Sequence, residues 1–233
     1  MDIRVIETAF KPDPDALLSR LGLDAESDEA EDFLRLLSEL APVARPKAVI
    51  GEAKVSLTEF ADRIMIGGVE FVSRLLVKNL AAEEVAWPYI ATCGRELYDR
   101  VMAIPDPFER YWGDEIMLAA LTQIRSVLKD FLAAEFFPGA TAWMSPGSLV
   151  EWPIRQQVPL FRLLGEGASA IGVELTDSQL MIPNKSVSGI RFHNEHGYVD
   201  CCLCPRINCP NRKADLVADV EYNDAKPSCL HGS

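Results

Sequence analysis

The chain has 233 residues, 48% of them hydrophobic, enough to bury one large core or two small ones without disulfide support. Thirty-five acidic against 23 basic side chains give a formal charge of −12. That balance excludes a nucleic-acid binder built on a basic face, and a protein that adheres to an anionic membrane surface.

The first residues, MDIRVIETAFKPDPD, lack the basic start and apolar centre of a signal peptide. No run approaches the roughly 20 apolar residues of a membrane span. A cytoplasmic location is therefore expected. In that reducing compartment, clustered cysteines serve as metal ligands or redox groups more often than as disulfides.

In chain order, Asp13-Pro14 reads as a cap followed by proline at the first helical position, with Leu17, Leu18 and Leu21 on one face and Gly22 as the stop. Ser27 caps a second helix whose stripe is Phe33, Leu34, Leu37 and Leu40, ended by Pro42. Its acidic start reads as a solvated face. Residues 47–57 partly alternate and predict a strand. Ile64 to Ile66 predicts another, closed by Gly67-Gly68, and 69–80 has helical spacing. Val85 to Thr92 predicts a buried strand running into Cys93-Gly94 and a helix through Met102. The plainest helix spans 114–137, where Met117, Leu121, Ile124, Leu128, Phe131 and Leu132 recur at three- and four-residue steps. Asp114 is its expected cap, and Pro138-Gly139 its end. A further helix is expected over 153–164, with Pro159 awkward inside it. Short strands are expected at 174–175, 180–183, 188–193 and 198–201. This order points to an α+β fold, with mixed helices packed on an antiparallel-rich sheet. The parts read as 1–84, a helical and strand segment of the same domain; 85–213, the core with the cysteines; and 214–233, a polar tail.

Two turn-rich stretches stand out as candidate ligand sites. One is Ser145-Pro146-Gly147 with Glu151 close behind; the other ends in Ser186-Val187-Ser188-Gly189. Ser-Pro-Gly exposes main-chain amides, and in an extended chain Ser186 and Ser188 face the same side. Together with Ala91-Thr92-Cys93-Gly94, these stretches resemble the activation domain of cobalamin-dependent methionine synthase, and more closely its stand-alone relatives. The resemblance covers roughly 85–212 and includes a terminal C-x2-C-x4-C-x2-R pattern ending at Arg212. It implies an activation-domain-like fold and a role in B12 metabolism. In that family the domain binds S-adenosylmethionine against the cobalamin, so that cob(II)alamin is reduced and remethylated. The implied partner is a corrinoid protein or a cobalamin-dependent methyltransferase. The family's arginine two residues before Ser-Pro-Gly, suited to a bidentate carboxylate clamp, and the tyrosine just after it are here Trp143 and Ser148. Binding of S-adenosylmethionine is expected to be weak or absent.

Cys201, Cys204 and Cys209 supply soft donors in one short loop, suited to an iron–sulfur cluster or zinc. A 4Fe–4S cluster takes a fourth ligand, with Cys229 as first candidate and adjacent Cys202 as rival. Zinc is the alternative metal, completed by Cys229, His196 or His231. Reactive or inert thiols are the third reading, and Cys93 reads as a core thiol. The P-loop, G-x-G-x-x-G, H-E-x-x-H and G-x-S-x-G patterns are all absent from the chain. Two functions follow as expectations. One is a redox activator of a corrinoid methyltransferase with an iron–sulfur electron relay; the other is a non-catalytic corrinoid- or protein-binding module with a structural zinc or iron–sulfur site.

Overall fold

The computed structural model describes residues 1–136, 139–194, 198–204, 206, 208–209 and 212–215. Among the described residues, ten strands and seven α-helices run in the order β1 (Ile3–Glu7), α1 (Pro14–Leu21), α2 (Asp28–Leu40), β2 (Lys47–Gly51), β3 (Ala53–Leu57), β4 (Arg63–Ile66), β5 (Val69–Val72), α3 (Arg74–Leu80), β6 (Val85–Thr92), α4 (Arg95–Met102), α5 (Pro107–Glu135), β7 (Thr141–Met144), α6 (Gln157–Leu164), α7 (Gly167–Ala170), β8 (Glu174–Leu175), β9 (Met181–Ile182) and β10 (Ser186–His193). The order mixes helices with antiparallel strands and is α+β, as the sequence implied.

Strand β6 is the spine of an eight-stranded sheet. Its length pairs with β10, from Ser186↔Thr92 to Arg191↔Trp87. Its other edge is shared. β2 pairs with the C-terminal half, Lys47↔Thr92 to Ile50↔Tyr89, and β3 with the N-terminal end at Ala53↔Ala86. The single strand expected over 47–57 is thus broken at Glu52, which lets its two halves lead to different edges. β1 extends one branch and β4–β5 the other, while β7 closes the far side on β10. All these pairings are antiparallel.

The pleat of β6 sorts its residues between two cores. Trp87, Tyr89 and Ala91 join Phe33, Leu37, Ile116, Leu121, Ile124 and Leu128 beneath α2 and α5. Ala86 and Ile90 join Phe71, Leu76, Trp152, Leu160 and Ile190 on the opposite face. Because both faces are covered, β6 reads as a nearly unbroken apolar run.

Caps explain the helix starts. Asp13 accepts from the Ala16 amide and Ser27 from that of Ala30. The structure corrects several expectations. Residues 69–80 divide into β5 and α3, because the Ser73 side chain accepts from the Leu76 amide and caps a new helix there. Helix α5 begins seven residues before Asp114. Asp106 caps it, accepting from the amides of Phe108 and Glu109, with Pro107 at the first position. In α2 the buried position is Leu36 rather than Leu34. Pro159 lies in the first turn of α6, where its missing amide costs nothing. Residues 198–201 form no strand; a 3-10 turn occupies Asp200–Cys202. Pro138, and the tail after Asp215, lie outside the described residues.

Candidate functional site

The two motif stretches meet. Strand β7 ends at Met144, paired with Ile190, so Ser145 follows at Gly189, the last residue of the second motif, whose start at Ser186 pairs with Thr92 of β6. Ser145, Pro146, Gly147 and Ser148 line a cavity of about 310 Å³ with Ser186, Val187 and Ser188, and Ile154, Gln157 and Met181 complete its wall. The hydroxyls are tied down. Ser188 donates to Gln157 Oε1 at 3.2 Å, and Ser186 to Thr92 Oγ1 at 2.9 Å. Ser145 hydrogen-bonds with the hydroxyl of Tyr89, a ring fully buried in the core below. Burial pushes the Tyr89 phenol up, against the opposing pull of Arg191 and Arg125.

Two of the motif glycines have structural duties. Gly147 takes φ of 86°, and its amide donates to Trp152 O at 2.7 Å, closing the 147–152 loop. A Cβ on Gly189 would stand 2.2 Å from Met144 O, so this glycine permits β7 and β10 to approach. Gly189 does not line the cavity, and neither does Glu151. Trp152, adjacent to Glu151, is fully buried in the second core and stacks edge-on to Phe71.

A larger cavity, about 690 Å³, adjoins the first at Ser148, which lines both. Cys201, Cys204 and Cys209 all border it, together with Trp143, Arg125, Asp200 and Lys213. These three thiols are free. Cys202 is buried, lies off the cavity wall and is engaged in a disulfide, so it is no rival ligand while that bond is closed. Cys229, His196 and His231 lie outside the described residues.

The loop carrying the thiols is held by Arg212. Its guanidinium donates to Cys201 O and Cys204 O, each at 2.7 Å, to Ala214 O at 2.8 Å and to Arg206 O at 3.0 Å. A planar fork with five donors is suited to gathering several carbonyls at once. The Lys213 amide reaches Cys201 Sγ at 3.4 Å. The arginine of the C-x2-C-x4-C-x2-R pattern is therefore a clasp on the loop backbone, a role its spacing alone did not indicate. Among the described residues, no three His, Cys, Asp or Glu side chains are gathered closely enough to hold a metal ion as they stand. The donors suit a soft metal, and metal binding requires the 201–209 loop to draw its thiols inward. Cys93 is remote in character: it is buried in the first core, and burial pushes its thiol up to about 12.

Trp143 is the floor of the larger cavity. Three cations surround its ring: Lys213 Nζ at 5.1 Å from the centroid, and the guanidinium carbons of Arg191 at 5.5 Å and Arg125 at 6.0 Å. Arg191 is only 5% exposed and also packs 5.4 Å from the Tyr89 ring. Cross-strand pairing of Arg191 with Trp143 puts the two side by side. Burial, and the nearby Arg125, hold the Arg191 guanidinium below its usual range, with Tyr89 opposing. Asp200, the carboxylate on this cavity wall, is pushed up to about 6 by burial, with the Tyr198 hydroxyl pulling the other way.

No protein-family model matches the chain, and no curated protein does. Among solved structures, a crystal structure of the MetH reactivation domain bound to AdoHcy matches with a TM-score of 0.61 and 16% identity. The match covers 85% of this chain and 81% of that one. No helix among the described residues is long and apolar enough to cross a membrane. The chain resembles the methionine synthase activation domain that its motifs suggested, and it has the fold of the MetH reactivation domain.

Proposed function

We propose that this protein serves in the reductive reactivation of a cobalamin-dependent methyltransferase, docking on the corrinoid-bearing partner from the cytoplasm. The observation that carries this reading is the fold, shared across 85% of the chain with the MetH reactivation domain. The meeting of the two resembling motifs at one cavity supports it. In this reading Ser145, Pro146, Gly147, Ser186, Val187, Ser188 and Gly189 shape the ligand end, with Glu151 at its margin.

Cys201, Cys204 and Cys209 would hold an iron–sulfur cluster, with Cys229 as fourth ligand. When bound, such a cluster would pass single electrons from an external reductant to the partner's Co(II). The chain's own contribution is positional. Arg212 fixes the loop carbonyls, the Lys213 amide bonds the Cys201 sulfur, and the cavity shared by the thiols opens toward Ser148. S-adenosylmethionine, the methyl donor of the resembling family, would meet Trp143 and Ser148 where that family presents arginine and tyrosine. Losing a bidentate carboxylate clamp costs about 1.5–3 kcal/mol, or roughly 10- to 150-fold in affinity.

The second reading, a non-catalytic corrinoid- or protein-binding module with a structural zinc, draws on the fact that the three thiols are not yet convergent. Purification without oxygen, followed by a visible spectrum and iron, sulfide and zinc analysis, separates the two. Iron and sulfide in stoichiometric amounts, with absorption that bleaches on reduction, support the relay. Stoichiometric zinc in a colourless protein eliminates it.

A further inference from the structure

The corner between α4 and α5 shows apolar surface that neither core uses. Phe108 is 75% exposed, Tyr111 56% and Met102 37%. Single exposed apolar side chains are ordinary, but several gathered at one place mark a contact surface. Here they are gathered. Met102, Pro107 and Tyr111 line one groove of about 330 Å³ with Arg110 and Asp114, and Phe108 follows Pro107 on the solvent side of α5.

The corner is built to hold its shape. Asp106 accepts from the amides of Phe108 and Glu109, and Arg110 Nε donates to Ile104 O at 3.0 Å. At the groove wall Asp114 meets Lys185 Nζ at 2.6 Å, and Lys185 directly precedes Ser186 of the second motif. The groove is thereby tied to the start of β10, beside the candidate ligand end. A preformed surface loses little freedom when a partner seats on it.

Charge says what that partner is. Residues 24–39 and 95–115 hold 13 acidic against four basic side chains, and so −9 of the chain's −12. The two segments lie side by side: Phe33 meets Trp112 edge-on with ring centroids 5.9 Å apart, and Arg35 reaches both Asp32 and Glu109. Arg95 is paired with Asp99 and Glu174. Arg100 and Arg110 meet no carboxylate among the described residues, but they are outnumbered, since Asp24, Glu26, Asp28, Glu29, Glu31 and Glu39 meet no cation there. Such a flank repels a second copy of this acidic chain, a nucleic acid and an anionic membrane alike. It attracts a protein surface that sets lysines and arginines around an apolar side chain.

We propose that the groove at the α4–α5 corner is the docking surface for a protein partner with a basic rim around an apolar knob. The assignment of that partner rests on the reactivation reading, in which it is the corrinoid-bearing methyltransferase. The knob fills the groove against Met102, Pro107 and Tyr111, Phe108 packs at its edge, and the basic rim faces the start of α2. Through Asp114 and Lys185 the seated partner bears on the strand that carries Ser186 and Ser188.

The probe is a cobalamin-dependent methyltransferase from the same cell, in its Co(II) form. It is titrated against the full chain by biolayer interferometry without oxygen, and reactivation is followed on the same samples. Phe108→Ser combined with Tyr111→Ser is expected to weaken binding roughly ten-fold or more, and to raise by the same factor the concentration of this protein that half-saturates reactivation. Both side chains are exposed, so the variant keeps the fold, which circular dichroism verifies. Asp32→Lys is expected to slow association about three-fold, as is raising salt from about 50 to about 300 mM. Binding that the double variant retains in full overturns this docking surface and leaves the reactivation reading standing. Association indifferent both to salt and to Asp32→Lys overturns the basic rim. Sedimentation of the wild-type chain as a dimer that the double variant dissolves assigns the groove to a second copy and overturns the proposal. A wild-type chain that neither binds nor reactivates the methyltransferase overturns the reactivation reading, and the partner assigned here with it.

Discussion

Arg212 offers a direct handle on the thiol loop. In Arg212→Met the aliphatic stem remains while the guanidinium, with its four hydrogen bonds to main-chain oxygens, is lost. The residue is half-buried, so water compensates part of the loss, and about 0.5–1 kcal/mol for each bond is appropriate. The sum, about 2–4 kcal/mol, is a local quantity, because all four acceptors are carbonyls of the loop itself, while Leu203 and Cys204 keep their packing against the second core. The free energy for opening residues 201–214 should therefore fall by that amount, which is roughly a 30- to 1,000-fold increase in exchange rate. Hydrogen exchange read by mass spectrometry tests this. Amides of 201–214 should exchange faster by that factor while those of β6 and α5 stay unchanged. Alkylation of Cys201, Cys204 and Cys209 should accelerate in parallel. Arg212→Lys should behave much like Arg212→Met, since an ammonium cannot span four carbonyls. Unchanged exchange across the loop in both variants would refute the clasp.

Gly189→Ala brings a methyl group to 2.2 Å from Met144 O, a backbone atom, and should destabilise the protein by about 2–4 kcal/mol in urea unfolding. Trp152→Ala empties a fully buried site and should cost about 3–5 kcal/mol by the same measurement. Burial disfavours the thiolate of Cys93 and raises its pKa to about 12, so at pH 8 roughly one molecule in 10,000 carries the reactive form. In the metal-free folded protein, iodoacetamide should label Cys201, Cys204 and Cys209 and leave Cys93 untouched until the chain is unfolded.

What was legible in the sequence followed the strength of one periodicity at a time. β6 announced itself because both of its faces are buried, and the stripe of α5 because one face is. The first turns of α5 were hidden because they show Phe108 and Tyr111 to solvent, although the Asp106-Pro107 cap was there to be read. β1 escaped notice because it is a short edge strand without alternation, with Arg4, Val5 and Glu7 all exposed. Val69 to Leu80 fits a helix and a strand equally well, and only the Ser73 cap decides where one ends. The site was half visible. Motif resemblance found Ser145 to Gly147 and Ser186 to Gly189, and sheet pairing then made them neighbours. The convergence of Arg125, Arg191 and Lys213 on Trp143 had no local signal, because it depends on α5 and the thiol loop packing against the same strand pair.

The most direct test is reactivation itself. A cobalamin-dependent methyltransferase from the same cell is inactivated to its Co(II) form and supplied with a one-electron reductant and a methyl donor. Its Co(II) paramagnetic resonance signal is then followed with and without this protein. The expected result is a loss of signal and a return of methyl transfer that depend on the protein and weaken when Cys201, Cys204 and Cys209 are replaced by serine. A Co(II) signal that decays at the same rate whether or not the protein is present would contradict a role in reactivation.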